Sequence, residues 1–276
     1  MKLTPAVLEI NLSEVEDRIK RFIKGYVEIN GFKGIVIGLS GGVDSSTIAA
    51  LSCKAIGSEK VTGLILPEEE TYNNIDIDDA KIVANQLKIK VETHDLSECL
   101  SSFYKNIPLF DNRDKVTKGN IKARMRMIYL YYYANRFNKL VCGSSDKSET
   151  MIGYFTKWGD GGADILPIMD LYKTQVRRLA IHLGIPKKLA LKPSSPNLWI
   201  NQSAEKELGM KYEILDLVLY GLEHMMTVEE ISSNLDINKS LVLKIKKRII
   251  CSEHKRRMPL TTKIGFRTTG SDFRIQ

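Results

Sequence analysis

The 276 residues predict an α/β fold: a parallel five-stranded sheet with helices on both faces, plus a helical C-terminal extension. Three observations predict it. Short β-branched runs alternate with helix-period segments through the first half of the chain, a pattern that demands right-handed crossovers and parallel pairing. A glycine-rich turn joins the first strand run to a helix, at the edge where such sheets bind ligands. Beyond Leu198 the strand runs stop and the spacing stays helical.

The elements follow in order. Leu12, Val15, Ile19, Phe22, Ile23, Tyr26 and Val27 recur at helical spacing over 11–30, and Gly31 ends that helix. Residues 34–39 read as a buried strand, and Ser45 to Ile56 as a helix with Gly57 as its C-cap. Val61 to Leu66 is a strand, 74–87 a helix and Ile89 to Thr93 a strand. Helices follow around 96–106 and 117–137, then a strand from Lys139 to Gly143. No low-complexity linker or internal repeat interrupts the chain, so 1–276 is expected to be one domain.

Composition bounds the function. Hydrophobic residues make up 43 % and charged residues 27 %, enough apolar mass for a sizeable core. Forty-one Lys and Arg against 33 Asp and Glu give a formal charge of +8. Such an excess suits polyanionic partners, nucleotides among them, or is simply a solvated basic surface. Cys53, Cys99, Cys142 and Cys251 lie far apart without a CxxC, which argues against a zinc site or a disulfide framework. The N-terminus lacks a signal peptide's apolar core, and no apolar run reaches the ~18 residues of a membrane span. A cytoplasmic protein without membrane contact is expected.

The strongest chemical signal is Ser40-Gly41-Gly42-Val43-Asp44-Ser45-Ser46, set between a strand and a helix. The glycines let backbone N–H groups approach phosphate oxygens, the hydroxyls add donors, and the helix N-terminus favours anions. It is neither a GxxxxGK[ST] nor a GxGxxG loop. Asp44 would repel phosphate unless a cation intervened, and Mg²⁺ is the natural one; the plainer alternative makes Asp44 a helix N-cap. Asn120 and Arg124 stand one turn apart in Gly119-Asn120-Ile121-Lys122-Ala123-Arg124. Glu149, in Gly143-Ser144-Ser145-Asp146-Lys147-Ser148-Glu149, offers a second carboxylate for Mg²⁺. Residues 153–164, GYFTKWGDGGAD, gather aromatics, Lys157, Asp160 and Asp164 into a glycine-rich turn. Lys173 begins a helix, and His254-Lys255-Arg256-Arg257 forms a basic cluster.

The S-G-G-x-D-S loop resembles that of the ATP pyrophosphatase group, with its Rossmann-like fold. The ordered set GNIKARMRM, KSExxxGYFTKxGDGGAD, LxKTQV, QSxExELG and HKRR resembles the NH3-dependent NAD synthetases over about residues 34–258. That resemblance implies ATP along Gly38, Leu39, Ser40, Gly41, Gly42, Val43, Asp44 and Ser45, with Ser144, Lys173 and Ser195 as further contacts. It implies Mg²⁺ on Asp44 and Glu149, and deamido-NAD on Arg124, Lys157, Asp164, His254 and Lys255. Asp160 matches a carboxylate near the substrate and ammonia, a general-base candidate, while Asp44 and Lys173 join it as catalytic residues. A homodimer is implied as well. Three positions depart from the pattern: Ser144 replaces a threonine, Ser194 a proline, and Ala204 an acid in a loop thought of as a lid over about 193–209.

The activity implied is a C–N ligase reaction. Deamido-NAD is adenylated by ATP with loss of pyrophosphate, and ammonia then displaces AMP to give NAD. Glutamine-using relatives carry an added amidase domain for which this length leaves no room, so free ammonia, or ammonia from a separate partner, is expected. A tRNA thiolation or GMP-forming enzyme of the same group is the near alternative and should lack GYFTKWGDGGAD. Residues 227–250 also resemble a helix-turn-helix, which a nucleic-acid-binding module would use; no nucleic-acid partner is expected.

Overall fold

Leu12–Ile29 forms helix α1, started by Asn11, whose side chain accepts from Glu14 N. Its apolar stripe buries Ile19, Ile23 and Val27 against the sheet layer. The computed structural model describes residues 2–71, 73–269 and 272.

Four parallel strands build the sheet: β1 (Ile35–Gly38), β2 (Val61–Ile65), β3 (Lys90–Thr93) and β4 (Leu140–Val141), in the order β3-β2-β1-β4. Alternation along β1 sorts the core. Ile35 and Ile37 face a cluster with α1, α2 (Val43–Ile56) and α3 (Asn74–Leu87). Val36 faces the opposite cluster, with Leu64 and Val141 and with residues of α4 (Ser97–Lys105) and α5 (Lys115–Phe137). Asp114 caps α5 by accepting from Thr117 N.

The expected fifth strand is not there among the described residues. Beyond β4 the chain returns for one parallel bridge, Cys142 to Ile165. Pro167 follows two residues later and cannot donate to a ladder. The edge is closed instead by a side chain, since Asp164 Oδ2 accepts from Val141 N at 2.7 Å. The helix expected from Ser45 begins two residues earlier, at Val43. Gly42 is extended there, and Ser46 N already bonds Gly42 O at 3.2 Å.

Beyond β4 the described elements are helices: α6 (Lys147–Met151), α7 (Lys173–His182), α8 (Lys187–Ala190), α9 (Ala204–Leu208), α10 (Tyr212–Glu223), α11 (Val228–Leu235), α12 (Lys239–Cys251) and α13 (Glu253–Arg256), of which α9 to α13 are the helical extension expected beyond Leu198. Tyr212, Leu215, Val218, Ile231, Val242 and Ile245 form a separate core there, joined by Leu3 and Leu8 from the N-terminus. α11 and α12 are the pair that reads as helix-turn-helix. Thr227 opens it with a capping box, Asp236 turns it at φ 50°, and its apolar sides are buried in this core. Among the described residues no helix is long and apolar enough to cross a membrane.

Candidate active site

In the order β3-β2-β1-β4 the winding reverses between β1 and β4. Loops leaving two such neighbours diverge to opposite faces and open a crevice at their C-terminal ends. The loop after β1 is the glycine-rich turn; the loop after β4 leads to Asp146 and Glu149.

The turn is held by its own hydroxyls. Ser45 Oγ accepts from Ser40 N at 3.3 Å, and Ser46 Oγ donates to Gly42 O at 2.8 Å. Gly41 sits at φ +73°, and a Cβ there would lie 2.2 Å from Asp76 O, so both conformation and space require glycine. No side chain caps α2. Its first-turn N–H groups therefore face the crevice with the positive end of the helix dipole, a ready anion site. Asp44 lies within that first turn, one residue past the start, and is not the N-cap.

Asp44, Asp146 and Glu149 converge, each offering an oxygen within 4.8 Å of the others. Lys173 Nζ sits among them, 2.7 Å from Asp44 Oδ2, 2.7 Å from Asp146 Oδ2 and 2.8 Å from Glu149 Oε1. Lys173 and Asp146 are fully buried, whereas Asp44 and Glu149 keep 20 % and 19 % of their side chains open. Burial opposes the ammonium, but Asp146, Asp44 and Glu149 together hold its pKa well above the ordinary lysine value. Burial likewise pushes the Asp146 and Glu149 carboxyls up; Lys173 works against the rise and the neighbouring carboxylates add to it.

Among the described residues, Asp44 Oδ1 has no hydrogen-bond donor, and Asp146 Oδ2 has no partner beyond its 2.7 Å contact with the Lys173 ammonium. When all three carboxylates are ionised, one ammonium leaves negative charge uncompensated. Hard oxygen donors with orphaned lone pairs suit a small divalent cation, so the set fits Mg²⁺. Asp146 is the member that sequence reasoning missed. It also caps α6, accepting from Glu149 N at 2.8 Å, and in the sequence it reads as a routine helix start.

A second group surrounds the 153–164 turn, which leaves α6 through Tyr154 N bonding Glu149 O at 2.9 Å. Arg124 Nε and Nη2 donate to Lys157 O at 3.3 Å, and Lys157 Nζ to His254 O at 2.8 Å. Lys255 Nζ donates to Gly153 O and Phe155 O. Arg124, Lys157, His254 and Lys255 thus meet in one basic rim. Asp160 Oδ1 accepts from Thr156 N at 2.8 Å; its crowded surroundings raise its pKa, although the residue keeps exposed surface. Asp164 stands at the sheet edge, where its second oxygen accepts from Tyr131 Oη at 3.1 Å.

Ser144 lies three residues past the end of β4 and is half-buried. Ser195 lies in the loop after α8, where its hydroxyl donates to Gln202 O at 2.8 Å and accepts from Asn197 N at 3.2 Å. That loop reaches the glycine-rich turn through Asp76, whose carboxylate takes Asn197 Nδ2 at 2.7 Å and also Lys192 Nζ. Its far side is held by Lys122, fully buried, with Nζ 2.8 Å from Glu68 and Glu70 and 3.0 Å from Leu198 O. Neither Asp76 nor Lys122 announces this in sequence, because each partner lies tens of residues away.

The model of the NAD synthase family matches residues 15–259. The chain belongs to that family. An NH(3)-dependent NAD(+) synthetase of Hyperthermus butylicus is 46 % identical over 254 residues, covering 92 % of this chain and 91 % of that protein. Among solved structures, the NMN synthetase of Francisella tularensis superposes with a TM-score of 0.82 at 32 % identity, covering 93 % of this chain and all of that one. The NH3-dependent NAD synthetase of Campylobacter jejuni superposes with a TM-score of 0.77 at 27 % identity, covering 92 % and 100 %.

Proposed function

We propose that this NAD synthase family member joins ammonia to the nicotinate carboxylate of deamido-NAD at the expense of ATP, forming NAD, AMP and pyrophosphate. The observation that carries the reading is the meeting of Asp44, Asp146, Glu149 and Lys173 at the β1/β4 crevice, beside the uncapped start of α2. The backbone of residues 38–45 would cradle the triphosphate, with Ser144 and Ser195 beside the nucleotide. Asp44, Asp146 and Glu149 would hold Mg²⁺, which neutralises phosphate charge when bound.

A carboxylate resists attack by ammonia, and adenylation gives it a leaving group. The acceptor's carboxylate oxygen attacks the α-phosphorus and pyrophosphate departs. Ammonia's lone pair then attacks the acyl carbon, AMP departs, and one proton is lost. Lys173 places its ammonium against the pyrophosphate as charge accumulates there. Arg124, Lys157, His254 and Lys255 form the cationic rim for the acceptor's phosphates, with Asp164 at its edge. Asp160 takes the proton from the attacking nitrogen, a role its raised pKa favours. Residues 193–209 shield the adenylate from water. The units act as one domain, since α10 is built onto α6 and α7, and as a homodimer in the cytoplasm with no nucleic-acid or membrane partner.

The likeness to an NMN synthetase favours one second reading, a mononucleotide acceptor. One assay separates them. The protein is given ATP, Mg²⁺ and ammonium with either deamido-NAD or nicotinate mononucleotide. The proposed reading expects AMP, pyrophosphate and NAD, with deamido-NAD the better acceptor by kcat/KM. Preference for the mononucleotide selects the second reading; ADP as product rejects both.

A further inference from the structure

Tyr212 and Asp216 stand one turn apart on α10, on one face, and both are fully buried. Neither contributes to the crevice directly, yet both reach the groups that do. Asp216 Oδ1 accepts from Ser148 Oγ at 2.5 Å, and its Oδ2 accepts from Thr174 N at 2.8 Å. Ser148 Oγ in turn accepts from Lys173 N at 2.9 Å. One buried carboxylate and one hydroxyl therefore hold the first two N–H groups of α7 and tie them to α6. Tyr212 Oη donates to Glu149 Oε1 at 3.2 Å, and Lys173 Nζ lies 5.3 Å from the centre of the Tyr212 ring.

Capping alone does not account for this. Other helices here are capped by a neighbouring side chain, α6 by Asp146 and α11 by Thr227. At α7 the acceptor is a carboxylate from 42 residues further along, and a buried carboxylate costs free energy that a local serine or threonine avoids. What the long-range carboxylate adds is position. It fixes the Lys173 main chain and the Ser148–Glu149 turn against the same rigid helix, so the ammonium and the Glu149 carboxylate keep a set separation.

We infer that Asp216 and Tyr212 are positioning residues for the adenylation step, aligning Lys173 and Glu149 with the triphosphate of ATP through Ser148 and the start of α7. The inference rests on the ATP-dependent activity proposed above. A misplacement on the order of an ångström is enough to cost a large factor in rate.

The test is a double-mutant cycle on the full chain. Asp216→Asn preserves shape but leaves one acceptor oxygen for two donors, Ser148 Oγ and Thr174 N, and sets an NH2 against the other; Ser148→Ala removes the relay; the double variant removes both. Thermal melts check folding, calorimetry gives the MgATP affinity, and steady-state assays give kcat and KM. Asp216→Asn is expected to lower kcat about tenfold or more while KM for deamido-NAD stays within about twofold. MgATP is expected to bind at least about threefold more weakly, and the double variant should be no worse than the worse single one. Folded variants with kcat and MgATP affinity within about twofold of wild type overturn the inference; so do losses that add independently. If Asp216→Asn does not fold, Ser148→Ala and Tyr212→Phe are judged by the same criteria. A wild type that binds MgATP but makes no NAD defeats the amidation reading, while the calorimetric arm still decides this one.

Discussion

Lys173 Nζ lies 2.7 Å from Asp44 Oδ2, across 129 residues of chain, and lies as near to Asp146 and Glu149. The ammonium thus occupies the focus of the same three carboxylates that suit a divalent cation. Cation and ammonium compete for these oxygens unless the lysine turns toward an anionic ligand. Lys173→Met is therefore expected to bind Mg²⁺ more tightly than wild type when no nucleotide is present, by about tenfold, the equivalent of ~1.4 kcal/mol. Calorimetric titration with MgCl2 checks it. Its turnover should fall severely, so affinity for the metal and activity move in opposite directions.

Asp44 alone joins the metal set to the phosphate loop. Asp44→Asn should lower NAD formation by a factor on the order of a hundred, in the range of a lost charge-stabilising group, with little change in melting temperature. Near-normal turnover at ordinary Mg²⁺ would remove Asp44 from the metal site.

Gly41 combines φ +73° with a carbonyl 2.2 Å from where a Cβ would stand. Gly41→Ala must pay about 1–2 kcal/mol for the left-handed backbone and then displace Asp76 O as well. MgATP binding should weaken at least about tenfold, because the loop has to move away from the phosphates. A variant that binds MgATP as wild type does would show that the turn does not carry the triphosphate.

Lys122 clamps the loop after α8 by its bond to Leu198 O while neutralising buried Glu68. Lys122→Met leaves Glu68 unpaired and should destabilise the protein by about 3–5 kcal/mol, as in other broken buried pairs. Hydrogen exchange should speed up around 196–202 more than in α2. Uniform acceleration would mean that the clamp has no local role.

Asp216 gives a pH dependence. Burial pushes its pKa up, and the hydrogen bonds from Ser148 and Thr174 offset only part of the rise. A folded pKa above the unfolded value means stability that is present below the unfolded pKa and is lost as pH rises through the folded one. Asp216→Asn lacks this titration, and the other groups cancel in the comparison. Melting temperatures at about pH 4 and pH 8 should therefore show the wild type losing ground to the variant as pH rises. A difference independent of pH would contradict the shift.

The α/β class, the helical stretch beyond Leu198 and the glycine-rich loop are legible in the sequence. These depend on spacing within a few residues: β1 alternates, α1 carries an apolar stripe, and the turn at Gly41 needs its glycine. Asp44 is odd beside a phosphate loop, Glu149 follows a strand as a second carboxylate, and the family resemblance implies the pairing of the two on Mg²⁺. The tertiary structure alone decided the rest. Among the described residues it stopped the sheet at four strands, because the return at Ile165 makes one bridge before Pro167. It brought Asp146 into the metal set, placed Lys173 at its focus, and drew Asp216 and Tyr212 in from α10. Those relations join residues tens to more than a hundred positions apart, and local periodicity carries no information about which of them share a crevice. Strand order does, by setting where the winding reverses, and that order exists only once the chain has folded.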